Sequence, residues 1–311
     1  MVMPCAIMIK SLLSMKKKIL ALLFLFVASA LHAQGLFVGT YNVRYQNDDD
    51  LRKGNGWPAR VRVMCGLLNF EQPDIFGTQE AKAGQVSDLL AGLDGYDYIG
   101  VGRDDGKAQG EYSAIFYRKD RIRLLDGGHF WLSEHPDRPG LGWDAACVRI
   151  CTWGKFMDLQ GGEPFFFFNL HMDHVGVVAR RESAKLVISR IKAVAGEGAA
   201  VVLTGDFNVD QHDEVYRLFA ESGLLQDSYT LARHRFAENG TFVDYDVDRK
   251  TDSRIDHVFV SRAFEVDRYA ILTDGYWTPR EADCSPGGGG RHYVRRLPSD
   301  HYPVFVRLRR R

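Results

Sequence analysis

Six short polar clusters interrupt the apolar stretches of this 311-residue chain, each where a predicted strand ends or begins. Four follow an apolar stretch: residues 40–42 (Thr-Tyr-Asn), 78–80 (Thr-Gln-Glu), 169–174 (Asn-Leu-His-Met-Asp-His) and 204–208 (Thr-Gly-Asp-Phe-Asn). Two precede one: residues 254–257 (Arg-Ile-Asp-His) and 299–303 (Ser-Asp-His-Tyr-Pro). In a mixed sheet, the end of one strand and the start of its antiparallel neighbour share an edge, where α/β proteins place their sites. We therefore expect all six clusters to converge on one rim.

The residue types in these clusters suit a hard cation and proton transfer. They include the oxygen donors that Mg²⁺ prefers, on the side chains of Glu80, Asp206, Asp300, Asn42 and Asn208. His171 and His301 can move protons or donate to developing negative charge. The sequence has no HExxH motif, GxSxG elbow or phosphate-binding P-loop. A carboxylate-bound metal beside two histidines is suited to water attack on phosphorus.

Each cluster also has a purely structural interpretation. A lone Asn or Asp at a strand end is most often a turn former or a helix cap. The stretch Gly205 to Asn208 could by itself be a turn, and Gln79-Glu80 the start of a helix. Six such coincidences in one chain favour a functional site.

The elements that must position these clusters alternate between strands and helices. Strands are predicted over residues 36–44, 74–78, 112–118, 122–132, 147–153, 165–170, 200–203, 254–261 and 302–308. Helices are predicted over residues 58–70, 84–93, 177–195 and 210–221. Several strands are apolar on both faces, which indicates that both faces are covered. The pattern predicts an α/β fold in which two sheets pack face to face with helices outside.

Composition and charge narrow the class of protein further. The chain is 45% hydrophobic and 26% charged, which excludes disorder, collagen-like repeats and a coiled-coil rod. The 40 basic and 40 acidic residues cancel, so there is no strong basic bias for coating nucleic acid. The cysteines at 65, 147, 151 and 284 lack zinc-site spacing, and Cys147 and Cys151 are too far apart along one predicted strand to pair.

The N-terminus is typical of a secretory signal. Lys16 to Lys18 form a charged segment, and an apolar stretch over residues 19–31 follows it. We predict a signal peptide at 1–33, with 1–14 an upstream start extension, and one domain over 34–311; an uncleaved anchor is the alternative. Cleavage leaves 36 basic and 40 acidic residues and no second apolar run of spanning length. The predicted product is exported, periplasmic or secreted, and monomeric.

Seven motifs, in this order, resemble the endonuclease/exonuclease/phosphatase superfamily. They are Tyr-Asn-Val-Arg at 41–44, Gln-Glu at 79–80, Glu-Tyr-Ser-Ala-Ile-Phe-Tyr at 111–117, His-Met-Asp-His at 171–174, Gly-Asp-Phe-Asn at 205–208, Arg-Ile-Asp-His at 254–257 and Ser-Asp-His-Tyr-Pro-Val at 299–304. The resemblance covers residues 36–309 and implies a four-layer α/β sandwich of two mixed sheets with helices on both outer sides.

The resemblance also implies a role for each matched residue on the metal side of the site. Glu80 looks like the main metal-binding carboxylate, with Asn42 and Asp300 completing the region around Mg²⁺ or Mn²⁺. Asp206 is similar to the residue that orients or deprotonates the attacking water. Asn208 would hold that carboxylate or a phosphate oxygen.

The histidines and substrate contacts are carried over in the same way. His301 resembles the phosphate-contacting histidine, oriented by Asp256, and His171 resembles a second histidine with Glu111 as its carboxylate partner. Such a partner favours the protonated imidazole. Substrate contacts are expected from Asn42, Asn208, Tyr112 and Arg44, with Arg149, Arg254 and Arg291 as weaker candidates.

The implied activity is metal-dependent phosphodiester hydrolysis of the nuclease type, with nucleic acid as the expected partner. The alternative is a phosphatase or phosphodiesterase that acts on a lipid head group or a small phosphorylated molecule. A binding protein on a decayed catalytic scaffold is a third possibility, and the complete set of carboxylates and histidines disfavours it. Residues 252–257 depart from the Trp-Cys-Asp-Arg signature of inositol 5-phosphatases, which disfavours that branch.

Overall fold

The computed structural model describes residues 35–280 and 293–311, and the chain from Leu36 to Arg311 forms one compact unit. The predicted signal peptide, the glycine run at 287–290, Cys284 and Arg291 lie outside the described residues. None of the helices formed by the described residues is long and apolar enough to cross a membrane.

The described residues form seventeen strands and six helices. The strands are β1 (Leu36–Asn42), β2 (Ile75–Gln79), β3 (Ala81–Lys82), β4 (Tyr96–Ile99), β5 (Glu111–Tyr112), β6 (Ile115–Arg118), β7 (Ile122–Trp131), β8 (Ile150–Asp158), β9 (Pro164–His171), β10 (Val201–Asp206), β11 (Gln226–Asp227), β12 (His234–Phe236), β13 (Asp256–Val260), β14 (Phe264–Ile271), β15 (Tyr276–Pro279), β16 (Tyr293–Arg296) and β17 (Val304–Arg310). The helices are α1 (Asp48–Arg52), α2 (Trp57–Glu71), α3 (Ala83–Gly92), α4 (Val177–Ala195), α5 (Glu214–Ala220) and α6 (Ser228–Leu231).

Two mixed sheets contain most of the strands. The first has the order β12-β14-β17-β1-β2-β6-β4, and the second has the order β11-β13-β10-β9-β8-β7. In each, two parallel central strands (β1 with β2, and β9 with β10) lie beside an antiparallel strand, β17 or β13. The register places Asp206 opposite both His171 and Asp256. The ends of β9 and β10 and the start of β13 therefore share one edge, as the sequence predicts.

Alternation along β9 explains how the layers stack. Phe165 and Phe167 lie in the core between the two sheets, whereas Phe166 and Phe168 face the opposite way, toward the cluster that contains α4 and α5. A third cluster packs α2 and α3 against the outer face of the first sheet. Because successive strand side chains point to opposite faces, a continuous apolar run covers both. The four-layer α/β sandwich is thus confirmed.

A buried polar network, formed mainly by residues of the predicted clusters, lies in the core between the two sheets. The amide nitrogen of Gln79 donates to Thr40 Oγ1 at 2.9 Å and to Asn169 Oδ1 at 2.7 Å. Asn169 in turn donates to the carbonyls of Thr78 at 2.9 Å and Ala114 at 3.0 Å, and Thr204 Oγ1 donates to Asn169 Oδ1 at 3.1 Å. These bonds join the two sheets directly. They therefore hold the ends of the central strands, which position the other polar residues of the clusters, at a fixed separation.

Several predicted boundaries differ from the structure. The predicted strand over 112–118 is split into β5 and β6, and the strand predicted from Cys147 begins only at Ile150. The helix predicted from residue 210 begins at Glu214, because the Asp213 side chain caps it by accepting from the backbone N–H of Val215 at 2.7 Å. Among the described cysteines, Cys65, Cys147 and Cys151 are free.

Candidate active site

Strand ends with unusual backbone conformations position the polar clusters. Arg44, Glu80 and Asn208 have positive φ values of 55°, 67° and 51°. A non-glycine residue pays roughly 1–3 kcal/mol for a sparsely populated conformation, and such residues concentrate at functional sites. Glu80 and Asn208 each end one of the predicted clusters, and Arg44 lies two residues beyond another, at the end of the Tyr-Asn-Val-Arg motif.

Asn42 is the hub of the site. Its amide nitrogen lies 2.9 Å from Glu80 Oε1, 2.9 Å from Asp206 Oδ2 and 3.3 Å from His301 Nε2. An amide has only two hydrogens to donate, and the two carboxylates take both. His301 Nε2 is therefore not needed as an acceptor and is free to carry a proton.

His301 is held in its charged form by a buried carboxylate. Its Nδ1 lies 2.8 Å from Asp256 Oδ2, and both side chains are almost fully buried. Burial alone would lower the pKa of His301, but Asp256 and then Asp206 outweigh it and raise the pKa well above its usual value. The Nε2–H of the imidazolium then lies 3.7 Å from Asp206 Oδ2.

His171 is in the opposite state. The Asn208 amide nitrogen lies 3.1 Å from His171 Nε2, and an amide nitrogen can only donate, so Nε2 accepts and the ring is neutral. Burial, followed by the charges of Arg149 and Arg103, lowers the pKa of His171 well below its usual value. His171 Nε2 is also 3.5 Å from Asp206 Oδ2. The expected protonation of His171 is therefore not found.

Glu111 does lie beside His171, but it is engaged elsewhere. Its Oε2 is 2.6 Å from Arg103 Nη1 and 3.8 Å from His171 Nδ1, which is too long for a hydrogen bond. Burial, partly offset by Arg103, raises the pKa of Glu111 to about 6. Glu111 therefore faces the proton-bearing Nδ1 of His171 without fixing it.

The carboxylates form a site of concentrated negative charge. Burial and then Asp256 raise the pKa of Asp206 to about 7, and burial raises the pKa of Asp300 to about 6, with Glu80 adding to the rise. Side-chain ligand atoms of Glu80, His171 and Asp206 lie within 4.8 Å of one another. Carboxylates that repel one another in this way fit a hard divalent cation. Glu80 itself is fixed by Asn42 and by the backbone N–H of Tyr45 at 3.1 Å.

Only some of the residues predicted to contact substrate lie close to these carboxylates. Arg44 is one of them: its Nη1 is 3.5 Å from Asp300 Oδ2, and its Nε pairs with Asp50 at 2.9 Å. Tyr112 packs in the apolar cluster under α2 and α3, and its hydroxyl donates to the carbonyl of Lys107 at 2.9 Å. Arg254 is buried against Asp227 at 3.2 Å, so it is paired away from the group.

The structure adds residues that sequence reasoning missed. Arg103 pairs with Glu111, and Asp50 fixes Arg44; both are charged residues of predicted loops with no motif of their own. Gln79 and Asn169 occur in the predicted clusters, but their role in joining the sheets was not foreseen. The only sign of this role in the sequence is that Gln79 and Asn169 are polar residues at the end of apolar runs.

The chain belongs to the Endonuclease/Exonuclease/phosphatase family, whose sequence profile matches residues 39–301. A mannosyl-6-phosphatase of Bacteroides thetaiotaomicron is 50% identical, with a TM-score of 0.83, over 88% of this chain and 99% of that one. A second family protein of the same organism is 49% identical, with a TM-score of 0.84, over 88% of this chain and 98% of that one. An uncharacterised protein of Acanthamoeba polyphaga mimivirus is 24% identical over 66% of this chain, which spans only 35% of that protein. Family and site together define a hydrolase that acts on phosphate esters.

Proposed function

We propose that this protein is an exported, divalent-metal-dependent phosphatase that removes phosphate from a phosphorylated sugar of the mannosyl 6-phosphate class. The observation that carries the proposal is the 50% identity to a mannosyl-6-phosphatase over 99% of that chain. The site supports it, because its donors and carboxylates suit a doubly charged phosphate monoester and a bound cation.

In the proposed reaction, water attacks phosphorus in line with the bond to the sugar oxygen, and no phosphoenzyme forms. Asp206 takes the water proton, which a carboxyl with a pKa of about 7 is suited to do near neutral pH. His171 Nε2, 3.5 Å from Asp206, accepts from Asn208 and takes no proton, because its pKa is lowered. The imidazolium of His301 donates to a phosphate oxygen as negative charge develops. As the P–O bond breaks, its electron pair goes to the sugar oxygen, which takes up a proton from solvent while Asp206 returns the water proton to solvent. The products are inorganic phosphate and the free sugar hydroxyl.

Glu80, Asn42 and Asp300 would hold the divalent cation, Mg²⁺ or Mn²⁺. When bound, the cation neutralises charge on the phosphate oxygens. The chain's own contribution is to fix the ligands: Asn42 and the Tyr45 backbone orient Glu80, and Arg44 faces Asp300.

Nuclease-type phosphodiester hydrolysis is the second candidate, and one observation favours it. The backbone of Tyr45 binds Glu80. The centre of the Tyr45 ring lies 4.7 Å from the Arg44 guanidinium and 4.9 Å from the Lys82 ammonium. An aromatic face flanked by cations can stack a base and contact a neighbouring phosphate. The acidic balance predicted after export provides no broader surface for a polyanion.

A substrate panel separates the candidates. Protein comprising residues 34–311 is assayed with Mg²⁺, Mn²⁺ or EDTA on mannose 6-phosphate, bis-p-nitrophenyl phosphate, plasmid DNA, single-stranded RNA and sphingomyelin. We expect cation-dependent release of phosphate from mannose 6-phosphate, at least tenfold more efficient than cleavage of any diester. Faster cleavage of a diester would contradict the sugar phosphatase.

Glu80→Gln tests the metal in the same panel. The substitution keeps the shape of the side chain and removes the charge that a hard cation needs, so activity and the response to Mg²⁺ should both be lost. The exposed Glu197→Gln is the matched control and should behave as the wild type. Near wild-type turnover of Glu80→Gln with a normal Mg²⁺ response would exclude Glu80 as a ligand.

A further inference from the structure

His174 stands at the surface beside the candidate active site, on a loop that a buried carboxylate holds in place. Asp173 accepts from the backbone N–H groups of Ala146, Cys147, Val175 and Gly176 at 2.7–3.2 Å. It also pairs with Arg149 Nε at 3.3 Å. Five hydrogen bonds on one carboxylate leave this loop little freedom.

Arg149 fixes the tautomer of His174. Its Nη2 lies 3.0 Å from His174 Nδ1. A guanidinium can only donate, so Nδ1 accepts and the ring carries its N–H on Nε2. Because the His174 side chain is exposed, that Nε2–H is a preoriented donor toward solvent.

The pair lies next to His171 along the chain: His171 ends β9, and Asp173, which binds Arg149, is two residues beyond it. The charge of Arg149 is also among the causes that lower the pKa of His171. Arg149 Nη1 is buried and has no hydrogen-bond partner among the described residues. A buried unpaired guanidinium nitrogen is costly, and such groups are retained where their charge has a task.

Resting on the proposed sugar phosphatase, we propose that His174, held by Arg149, donates through Nε2–H to a hydroxyl of the sugar leaving group. His174 is then a specificity residue, and Arg149 is a positioning residue that acts through it. Val175 and Val177, which follow His174 closely in the chain, have exposed side chains. An N–H donor near small apolar side chains suits a sugar, which presents hydroxyls and C–H groups together.

A second cation site is the competing interpretation, since ligand atoms of Cys147, Asp173 and His174 also lie within 4.8 Å of one another. The hydrogen bonds argue against it. Both oxygens of Asp173 already accept from N–H groups, and His174 Nδ1 accepts from Arg149. A cation at this point would also lie beside the guanidinium charge.

The test compares a sugar phosphate with a phosphate ester that has no hydroxyl groups. His174→Leu should raise the KM for mannose 6-phosphate about tenfold, the effect of one lost hydrogen bond, with kcat within twofold. Its kinetics on p-nitrophenyl phosphate should stay within twofold of the wild type. His174→Gln, whose amide can accept from Arg149 and donate outward, should recover most of the loss.

Two further variants complete the design. Arg149→Lys can still pair with Asp173, and it should show the same selective rise in KM; adding His174→Leu to it should cost nothing more. His234→Leu, an exposed histidine on the edge strand β12, is the matched control. Equal losses of His174→Leu on both substrates, or no loss on either, would overturn the role of His174. Wild-type protein that hydrolyses p-nitrophenyl phosphate but not mannose 6-phosphate would instead overturn the proposed function, and this inference with it.

Discussion

The two histidines of the site have the same chemistry in isolation and opposite states in the fold. His301 lies against Asp256 and is charged, whereas His171 accepts from Asn208, lies near two arginines and is neutral. His301 is prepared to donate to a phosphate oxygen, whereas His171 stays a neutral hydrogen-bond acceptor for Asn208. Burial alone would make both neutral, so the difference comes from the neighbouring charge.

Removing charge from Asp256 should therefore act through His301. Asp256 raises the pKa of His301, so activity that needs the imidazolium persists as pH rises until that raised pKa is passed. Asp256→Asn should move this alkaline limit of kcat/KM to lower pH. A full pH–rate profile for wild type and variant measures the shift; an unchanged alkaline limit would refute the pairing.

Direct removal of the reacting groups should cost more. Asp206→Asn and His301→Ala should each lower kcat by about 10²–10³-fold, the value of one group aimed at transition-state charge. The double variant of Asp256→Asn with His301→Ala should be barely worse than His301→Ala, because paired residues are not additive. Steady-state kinetics of these three variants and of the single Asp256→Asn variant check this. Fully additive losses at Asp256 and His301 would contradict it.

Cation binding should depend on pH through the buried carboxyls. With pKa values of about 7 for Asp206 and about 6 for Asp300, both are ionised at pH 8, and Asp206 is mostly protonated at pH 6. Since binding must release the proton, Mg²⁺ affinity should fall roughly tenfold or more between pH 8 and pH 6. Calorimetry in two buffers of different ionisation enthalpy would report both the affinity and the released proton. Affinity that does not change with pH would rule out Asp300 as a ligand and Asp206 as a charge that the bound cation depends on.

At the scale of elements, sequence patterns predicted most strands that carry the site. A run of apolar residues that ends in polar ones, as in β9 and β10, marks both a buried strand and its functional end. Helix α4 was predicted over its full range because its apolar residues repeat with helical spacing. Strand β14 was missed, because two consecutive polar residues, Asp267 and Arg268, interrupt its alternation where the register shifts.

The placement of Glu111 and Tyr112 shows what a local pattern cannot give. Tyr112 was predicted within one strand that reaches Arg118, with Glu111 just before it, but β5 is a separate two-residue strand that pairs with β3. Pairing with Ala81 turns Tyr112 into the core and leaves Glu111 toward Arg103. Which side chain faces the site is decided by a partner strand far away in sequence, and one sequence does not contain that information.

The close contact between the two sheets leaves no room for a side chain at Gly77, which can be tested by substitution. At Gly77 a Cβ atom would overlap the Asn169 side chain and meet Thr204 Oγ1 at 2.7 Å. Gly77→Ala should destabilise the protein by about 1–3 kcal/mol, the usual cost of overpacking. Gly66→Ala is the control: nothing lies within 4 Å of its Cβ in the middle of α2, so it should stabilise by about 0.5–1 kcal/mol. Urea denaturation measures both, and equal effects would contradict the tight contact.

For the whole molecule, the site exists only when both halves of the sandwich are in place. Asn42 ends β1 of the first sheet and His301 lies just before β17 of that sheet, whereas Asp206 and Asp256 come from the second sheet. The bond from Asn42 to Asp206, between residues far apart in sequence, joins them across the interface. Folding of β1, at the centre of the first sheet, is therefore a condition for activity.

The central position of β1 also allows the N-terminal boundary of the domain to be tested. All seven residues of β1 are buried, and the strand pairs with β17 on one side and β2 on the other. A chain that begins at residue 35 should keep the stability and activity of the processed protein. The full-length chain, once exported, should have its N-terminus near Gln34 or Leu31 when that terminus is sequenced. A chain that begins at residue 40 loses half of a central strand, including Val38 and the pairing of Leu36 with Leu308. Because ladder hydrogen bonds and buried apolar area are lost together, it should fail to fold cooperatively in thermal unfolding followed by circular dichroism. A cooperative transition and normal activity in that shorter chain would show that β1 does not hold the two sheets in register.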